Sequence, residues 1–244
     1  MIVGPVATGV LVAACSVPRA APTASGTVSG TATELPAAAV AYLRAWAAND
    51  VATMVRNSRP GSPARGYAAY WGRVFAAGRQ DVGEADLIVG RRSATLDYGS
   101  ASYRIADLQA GPEGLATWRS YPGGPLAPRV VTGPDVGARI GGLTVTAHQQ
   151  YRNSAGGLRI TLTVGRSPGT PGRDVAVPSY REPGGRRGSA SVGAQGATGV
   201  IPVPVGRIAA LVAASRARPG GALLVRVYRR DGRIAGRRWL SLPR

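Results

Sequence analysis

The chain of 244 residues contains no lysine, and it has one cysteine, one histidine and one phenylalanine. Each scarcity removes a class of chemistry. Without lysine, no ammonium can follow a phosphate-cradling Gly-rich loop, so nucleotide hydrolysis of the Walker type is excluded, as are Schiff-base mechanisms. A single cysteine cannot close an internal disulfide, which leaves packing alone to hold the fold. One cysteine and one histidine also fall short of the ligands that a structural zinc site needs, and no cofactor is expected. Acidic residues are few, 12 against 30 basic ones, giving a net charge of +18. Every basic residue is arginine.

An all-arginine basic set in a chain rich in Ala and Gly reflects G+C-rich coding as much as function. The field it creates nevertheless attracts polyanions, such as anionic lipid head groups or acidic wall polymers. Arginine grips phosphate and carboxylate with a planar fork and lies along aromatic faces. Residues 1–14 carry no charge and run IVGPVATGVLVAA before Cys15. That stretch is shorter than the roughly 20 apolar residues that cross a hydrocarbon core, and it fits the apolar region of an export signal. Val12, Ala13 and Ala14 ahead of Cys15 look like a bacterial lipobox, which implies that Cys15 carries a thioether-linked lipid and becomes the mature N-terminus. Residues 15–34 are mostly Ala, Pro, Ser, Thr and Gly, a composition that cannot bury enough apolar surface to fold and serves as a tether.

From residue 35 the pattern turns helical, with Ala39, Leu43 and Trp46 near helical spacing and an Asn49-Asp50 turn and cap before Met54. Tyr67, Tyr70, Trp71, Val74 and Phe75 describe a second amphipathic helix closed by Gly78. The period then shifts to two, and residues 85–89, 94–98, 101–108 and 115–121 read as strands. Helices followed by such a meander make an α+β unit over residues 35–131. Residues 132–244 read as all-β, with strands at 143–151, 158–164, 200–205, 223–228 and 234–242. The Asp231-Gly232 pair suits a hairpin turn. Residues 166–199, dense in Gly and Pro, read as a long loop.

The stretch AAVAYLRAWAANDVATM (38–54) resembles the opening helix of NTF2-like domains in exported actinobacterial proteins. The segments SYRIADLQAGPEGLATWRSYPGGPLAPRV and GGLTVTAHQQYRNSAGGLRITLTV are similar to secreted actinobacterial proteins of unknown function, in which an α+β domain precedes an immunoglobulin-like sandwich. The resemblance implies two N-terminal helices packed on an antiparallel sheet, then a C-terminal immunoglobulin-like β-sandwich, in an envelope lipoprotein. It carries no catalytic residue across.

Four groups of residues carry the candidate chemistry. Trp46, Tyr67, Tyr70, Trp71, Phe75 and Trp118 either line a pocket in the α+β unit or fill an ordinary core. Arg229, Arg230, Arg233, Arg237 and Arg238, with Tyr228 and Trp239 interleaved, form a basic ribbon. Such a ribbon can contact a polyanion, and it can also keep a sheet edge from pairing with a neighbour. Glu84 and Asp86 share a strand face and read as a solvated pair answering Arg91 and Arg92. His148 falls opposite Leu143, Val145 and Ala147 and is expected on an exposed strand face, with no serine nucleophile or carboxylate set beside it.

These features describe a non-enzymatic, lipid-anchored protein on the extracytoplasmic face of the cell membrane, with a binding or scaffolding role. The alternatives are a small-ligand carrier or enzyme using the aromatic pocket, or, without export, a nucleic-acid binder; export disfavours nucleic acid as a partner. Mass spectrometry of the native protein is expected to show a chain beginning at a lipidated Cys15. A terminus at an unprocessed Met1 with a bare thiol rejects the anchor.

Overall fold

The structure, a computed structural model, describes residues 34–77, 83–193 and 199–244. The leader, Cys15, most of the tether and Gly78 lie outside the described residues. Three helices open the described chain rather than two: α1 (Ala37–Ala47), α2 (Val51–Arg56) and α3 (Pro63–Ala76). The extra break comes from Asn49, whose φ of +57° turns the chain out of α1. Asp50 then restarts it by accepting from the Thr53 amide at 3.0 Å, as a helix N-cap does. At α3, Ser62 caps the Arg65 amide and Pro63 takes the first turn, where its missing N–H costs nothing.

Five antiparallel strands follow in sequential order: β1 (Asp86–Val89), β2 (Ser93–Asp97), β3 (Ser102–Gly111), β4 (Gly114–Tyr121) and β5 (Gly124–Pro125). One face of this sheet buries Ala94, Leu96, Ile105 and Trp118 against the helices, and the other carries exposed Asp97, Arg104 and Asp107. That one-sided alternation is what makes the period of two legible. Backbone bonds fasten the helices to the sheet ends. Ala85 N–H donates to Ala47 at 2.9 Å, Leu115 N–H to Asn57 at 3.0 Å, and Arg59 N–H to Leu115 at 3.0 Å.

A single 3-10 turn (Ala127–Arg129) leads into β6 (Val130–Val131), β7 (Val136–Ile140), β8 (Leu143–Arg152) and β9 (Leu158–Arg166). Then come β10 (Arg173–Arg181), β11 (Arg187–Gly193), β12 (Ile201–Val203), β13 (Gly206–Ala214), β14 (Ala222–Arg229) and β15 (Ile234–Ser241). The strands pair in the order β15-β14-β10-β11-β13-β9-β8-β6, with β12 on β10 and β7 on β8. In β11, residues 187–189 pair with β10 and residues 190–193 with β13. The sheet thereby folds over on itself, and Val145, Ile160, Val164, Val175, Val212, Val225 and Leu240 meet in one apolar core.

Residues 166–199, expected as a long loop, contain the β10–β11 hairpin. Val175 and Val177 are buried within it, but Pro178 offers no N–H, and the ladder with β14 shifts between Ala176 and Ser179. A bulge at a proline breaks the alternation that a strand reading depends on. The expected strand at 200–205 is the short β12, and β13 lies beyond it. Its run Ala210-Leu211-Val212 is buried on both faces, so it does not alternate.

Helix α3 packs on β4 with one face and on β8, β9 and β13 with another. Gly66 permits this approach, since a Cβ there would lie 2.3 Å from Thr132 Cγ2. The first core cluster accordingly includes Tyr151 of β8 and Leu211 of β13. Arg129 ties the same parts together and is only 5% exposed. Its Nε donates to the Arg152 carbonyl at 2.9 Å, Nη1 to Ser120 Oγ at 3.0 Å, and Nη2 to the Tyr151 hydroxyl, while the guanidinium lies 5.3 Å from the Tyr151 ring centre. No carboxylate answers it among the described residues. Neutral acceptors and a π face hold the charge, so its removal strands several buried polar groups at once. Arg129→Met is expected to cost about 3 kcal/mol in equilibrium denaturation. Arg129→Lys, which cannot reach three acceptors, should recover only part of that loss.

Candidate functional site

Two concavities of opposite character lie on either side of α3. The first is a cleft of about 320 Å³ whose walls include Trp46, Tyr67, Trp71, Phe75, Tyr103 and Tyr151. Helices α1 and α3 supply four of these rings at helical spacing, and β3 and β8 supply the two tyrosines facing them. Trp46 is the hub, with ring centres of Tyr67 at 5.0 Å, Trp118 at 5.0 Å and Tyr103 at 5.5 Å. Most of these pairs are tilted or edge-on, the arrangement that the ring quadrupoles favour. The rest of the lining includes Asn49, Ser102 and Asn153.

Of the six residues expected in such a pocket, Trp46, Tyr67, Trp71 and Phe75 line it, whereas Tyr70 and Trp118 do not. Trp118 is 2% exposed and sits behind Trp46 as core. Tyr70 faces Tyr151 at 5.0 Å, filling the seam between α3 and β8. Tyr103, Tyr98 and Tyr151 were not read from sequence as pocket residues, because nothing in strand alternation says which helix a strand residue will meet. Burial holds the Tyr67 phenol well above its ordinary value, with Tyr151 and Tyr103 beside it adding to the shift. Burial likewise raises Tyr151, against a smaller opposing pull from Arg129. These phenols are therefore neutral across the physiological range and act as apolar walls with a hydroxyl tip.

The second concavity, about 610 Å³, is polar and lies over the outer face of β8, β9 and β13. Its residues include Arg73, Asp135, His148, Thr163, Arg166 and Arg207. His148 departs from expectation: it is 8% exposed, not solvated. It does point away from the apolar core of the ten-stranded sheet, but α3 and the segment before β7 cover that face. Its Nδ1 lies 2.7 Å from Asp135 Oδ2, and its Nε2 lies 2.8 Å from Thr163 Oγ1. The Asp135 oxygen sits off the ring N–H direction, so the contact is a close polar approach rather than a straight hydrogen bond. Arg73 reaches the same carboxylate at 3.8 Å and donates to Gln149 Oε1 at 3.0 Å.

Desolvation lowers the His148 pKa from its ordinary 6.5; Asp135 opposes this and Arg73 assists it. The imidazole is thus neutral at neutral pH. Asp135, His148 and Thr163 share the polarity of an acid–base relay, and Gly165-Arg166-Ser167-Pro168-Gly169 has the Gly-x-Ser-x-Gly spacing of a nucleophile elbow, contrary to the expectation that the chain holds no such motif. Two observations argue against acyl transfer. Ser167 lies in a turn between two strands, whereas a nucleophile elbow joins a strand to a helix. Thr163 sits on β9, which is paired on both sides, so its neighbouring amides are engaged in the ladder rather than free to cradle an oxyanion.

The arginine ribbon lies on the β14–β15 hairpin. Arg229, Arg230, Arg233, Arg237 and Arg238 are all exposed, and β15 is an edge of the sheet. Beside them the Trp239 ring has the Arg181 guanidinium 4.9 Å and that of Arg187 5.8 Å from its centre. Glu84 and Asp86 are exposed on the edge near β1. Among the described residues, no three of His, Cys, Asp and Glu gather as metal ligands, and no helix is long and apolar enough to cross a membrane. Comparison with known proteins returns no matching family model, no matching curated protein and no matching solved structure.

His148 gives this face a pH signature. Because its folded pKa is depressed, the unfolded chain takes up the proton first as pH falls. Its contribution is therefore fully present above about 6.5 and is lost as pH drops below that value. Denaturation at pH 7.5 and 5.5 should show an acid destabilisation of at most about 1.4 kcal/mol that is missing in His148→Gln. An identical pH response in the two proteins contradicts the assignment.

Proposed function

We propose that this chain is a lipid-anchored protein of the cell envelope that acts by binding a small, mainly apolar ligand in the aromatic cleft between α1, α3 and the five-stranded sheet. The cleft itself carries the reading. Its volume of about 320 Å³ and its walls of Trp46, Tyr67, Trp71 and Phe75 match the usual make-up of a small-molecule site, an apolar lining with a few polar groups to orient the ligand. Neutral tyrosines and, among the described residues, a lining without a carboxylate favour retention of a ligand over turnover.

The apolar leader and Cys15 support the anchor, and the protein then works at the extracytoplasmic face of the membrane. The exposed arginines of the β14–β15 hairpin support a contact with anionic lipid or acidic wall polymer. Helices leaning on one sheet face around a cleft support an NTF2-like reading of the first part. A ten-stranded sheet folded around one core supports an immunoglobulin-like reading of the second.

A neutral apolar fluorophore such as N-phenyl-1-naphthylamine is the test. It should bind one site with quenching of tryptophan fluorescence, and Trp71→Ala should weaken binding about tenfold or more, the loss of one buried aromatic contact. Tryptophan emission that is indifferent to the probe, or equal affinity in the variant, rejects the cleft as the site.

A further inference from the structure

The polar concavity is a separate construction, and its charges do not balance internally. Three arginines border it, Arg73, Arg166 and Arg207, against one carboxylate among the described residues, Asp135. That carboxylate is already engaged by His148 at 2.7 Å and Arg73 at 3.8 Å. Arg166 and Arg207 have no carboxylate partner among the described residues. Arg166 spends Nη1 on the Thr170 carbonyl at 2.7 Å, and its Nε is buried with no hydrogen-bond partner. In the β8–β9 register Arg166 stands opposite Leu143, on the face of β9 away from Thr163, so it borders the concavity only at the end of the strand, whereas Arg207 stands opposite Gly165 on the face that carries the hydroxyls.

The floor beneath these arginines is equally specific. Thr144 pairs with Gly165 and Thr146 with Thr163 across β8 and β9, which sets three hydroxyls on one face beside His148. Gly165 faces Arg207 across the β9–β13 ladder, and a Cβ at Gly165 would come within 3.5 Å of Arg207 Cγ. Strand β9 is paired on both sides, so the hydroxyls stand on a rigid support rather than on a loop.

We propose that this concavity binds a small ligand through an oxyanion, carboxylate or phosphate, held by the Arg207 guanidinium, with the threonine hydroxyls meeting the ligand's other polar atoms. Guanidinium forks match both oxyanions in geometry and charge. The site is distinct from the aromatic cleft and does not depend on it. Asp135 faces the pocket as the one repulsive group, and its ties to His148 and Arg73 keep it from opposing the anion fully.

His148 is the only histidine in the chain, so its imidazole signals report on this face alone. The full chain is titrated at constant ionic strength and pH 7.5 with glucuronate, glucose 6-phosphate, inorganic phosphate and, as the uncharged control, glucose. Saturable shifts of the imidazole resonances with at least one anion and none with glucose are expected. A response to glucuronate alone assigns a carboxylate source, and a response to the phosphates alone assigns a phosphate source. Arg207→Gln, a change at an exposed residue, should weaken the response at least about tenfold while leaving binding of the apolar fluorophore unchanged. Thr144→Val, which removes a hydroxyl at nearly constant shape, should weaken it less. No saturable shift with any anion, or an undiminished response in Arg207→Gln, overturns the proposal and leaves the aromatic cleft unaffected.

Discussion

The buried guanidinium of Arg129 is the constraint on which the arrangement rests. It lies at the point where the chain leaves the five-stranded sheet, and it bonds Ser120 on β4, the Tyr151 hydroxyl on β8 and the Arg152 carbonyl. Ser120 Oγ in turn meets the Tyr103 hydroxyl. One cation thereby sets the spacing between Tyr103 and Tyr151, the two strand-borne walls of the aromatic cleft. Without it, the two sheets would be joined through α3 and a short connection, and the cleft between them would lose its defined width.

Helix α3 is the second element common to both sites. Its Trp71 and Phe75 line the aromatic cleft, and Arg73, two residues from each, turns to the polar concavity. A helix enclosed between two sheets must be amphipathic in an unusual sense, with apolar residues over most of its circumference. The small residues Gly66 and Ala68 let it sit closely against both neighbours. The outcome is two pockets of opposite polarity placed by one rigid element, one suited to rings and hydrocarbon, the other to an oxyanion.

Charge is distributed with the same economy. Most of the 30 basic residues have no acidic counterpart within reach, since the whole chain holds 12 acids. Some arginines serve as hydrogen-bond hubs, as Arg129 does, and some as stacking partners, as Arg181 and Arg187 do on Trp239. Those on the β14–β15 hairpin remain in solvent, where they maintain a positive field. This division follows from the guanidinium being planar, weakly hydrated and always charged.

Local chemistry settled much of the first half without any tertiary information. The Asn49-Asp50 break and the four alternating strands of the first sheet were legible, because each is set by neighbours in sequence and by one buried face. Trp46 and Trp71 were legible as large residues of helical faces, but whether they fill a core or line a cleft was left open by spacing alone. What tertiary structure alone decided is where period and exposure part company: β10 is interrupted by Pro178, β13 is buried on both sides, and His148 lies on a strand face that α3 covers. Asp135, His148, Thr163 and Arg207 come from four separate places in the chain, and only the pairing of β7, β8, β9 and β13 side by side beneath a helix brings them to one concavity. Sequence fixes the periodicity of a strand, but which side of it meets water depends on what packs there.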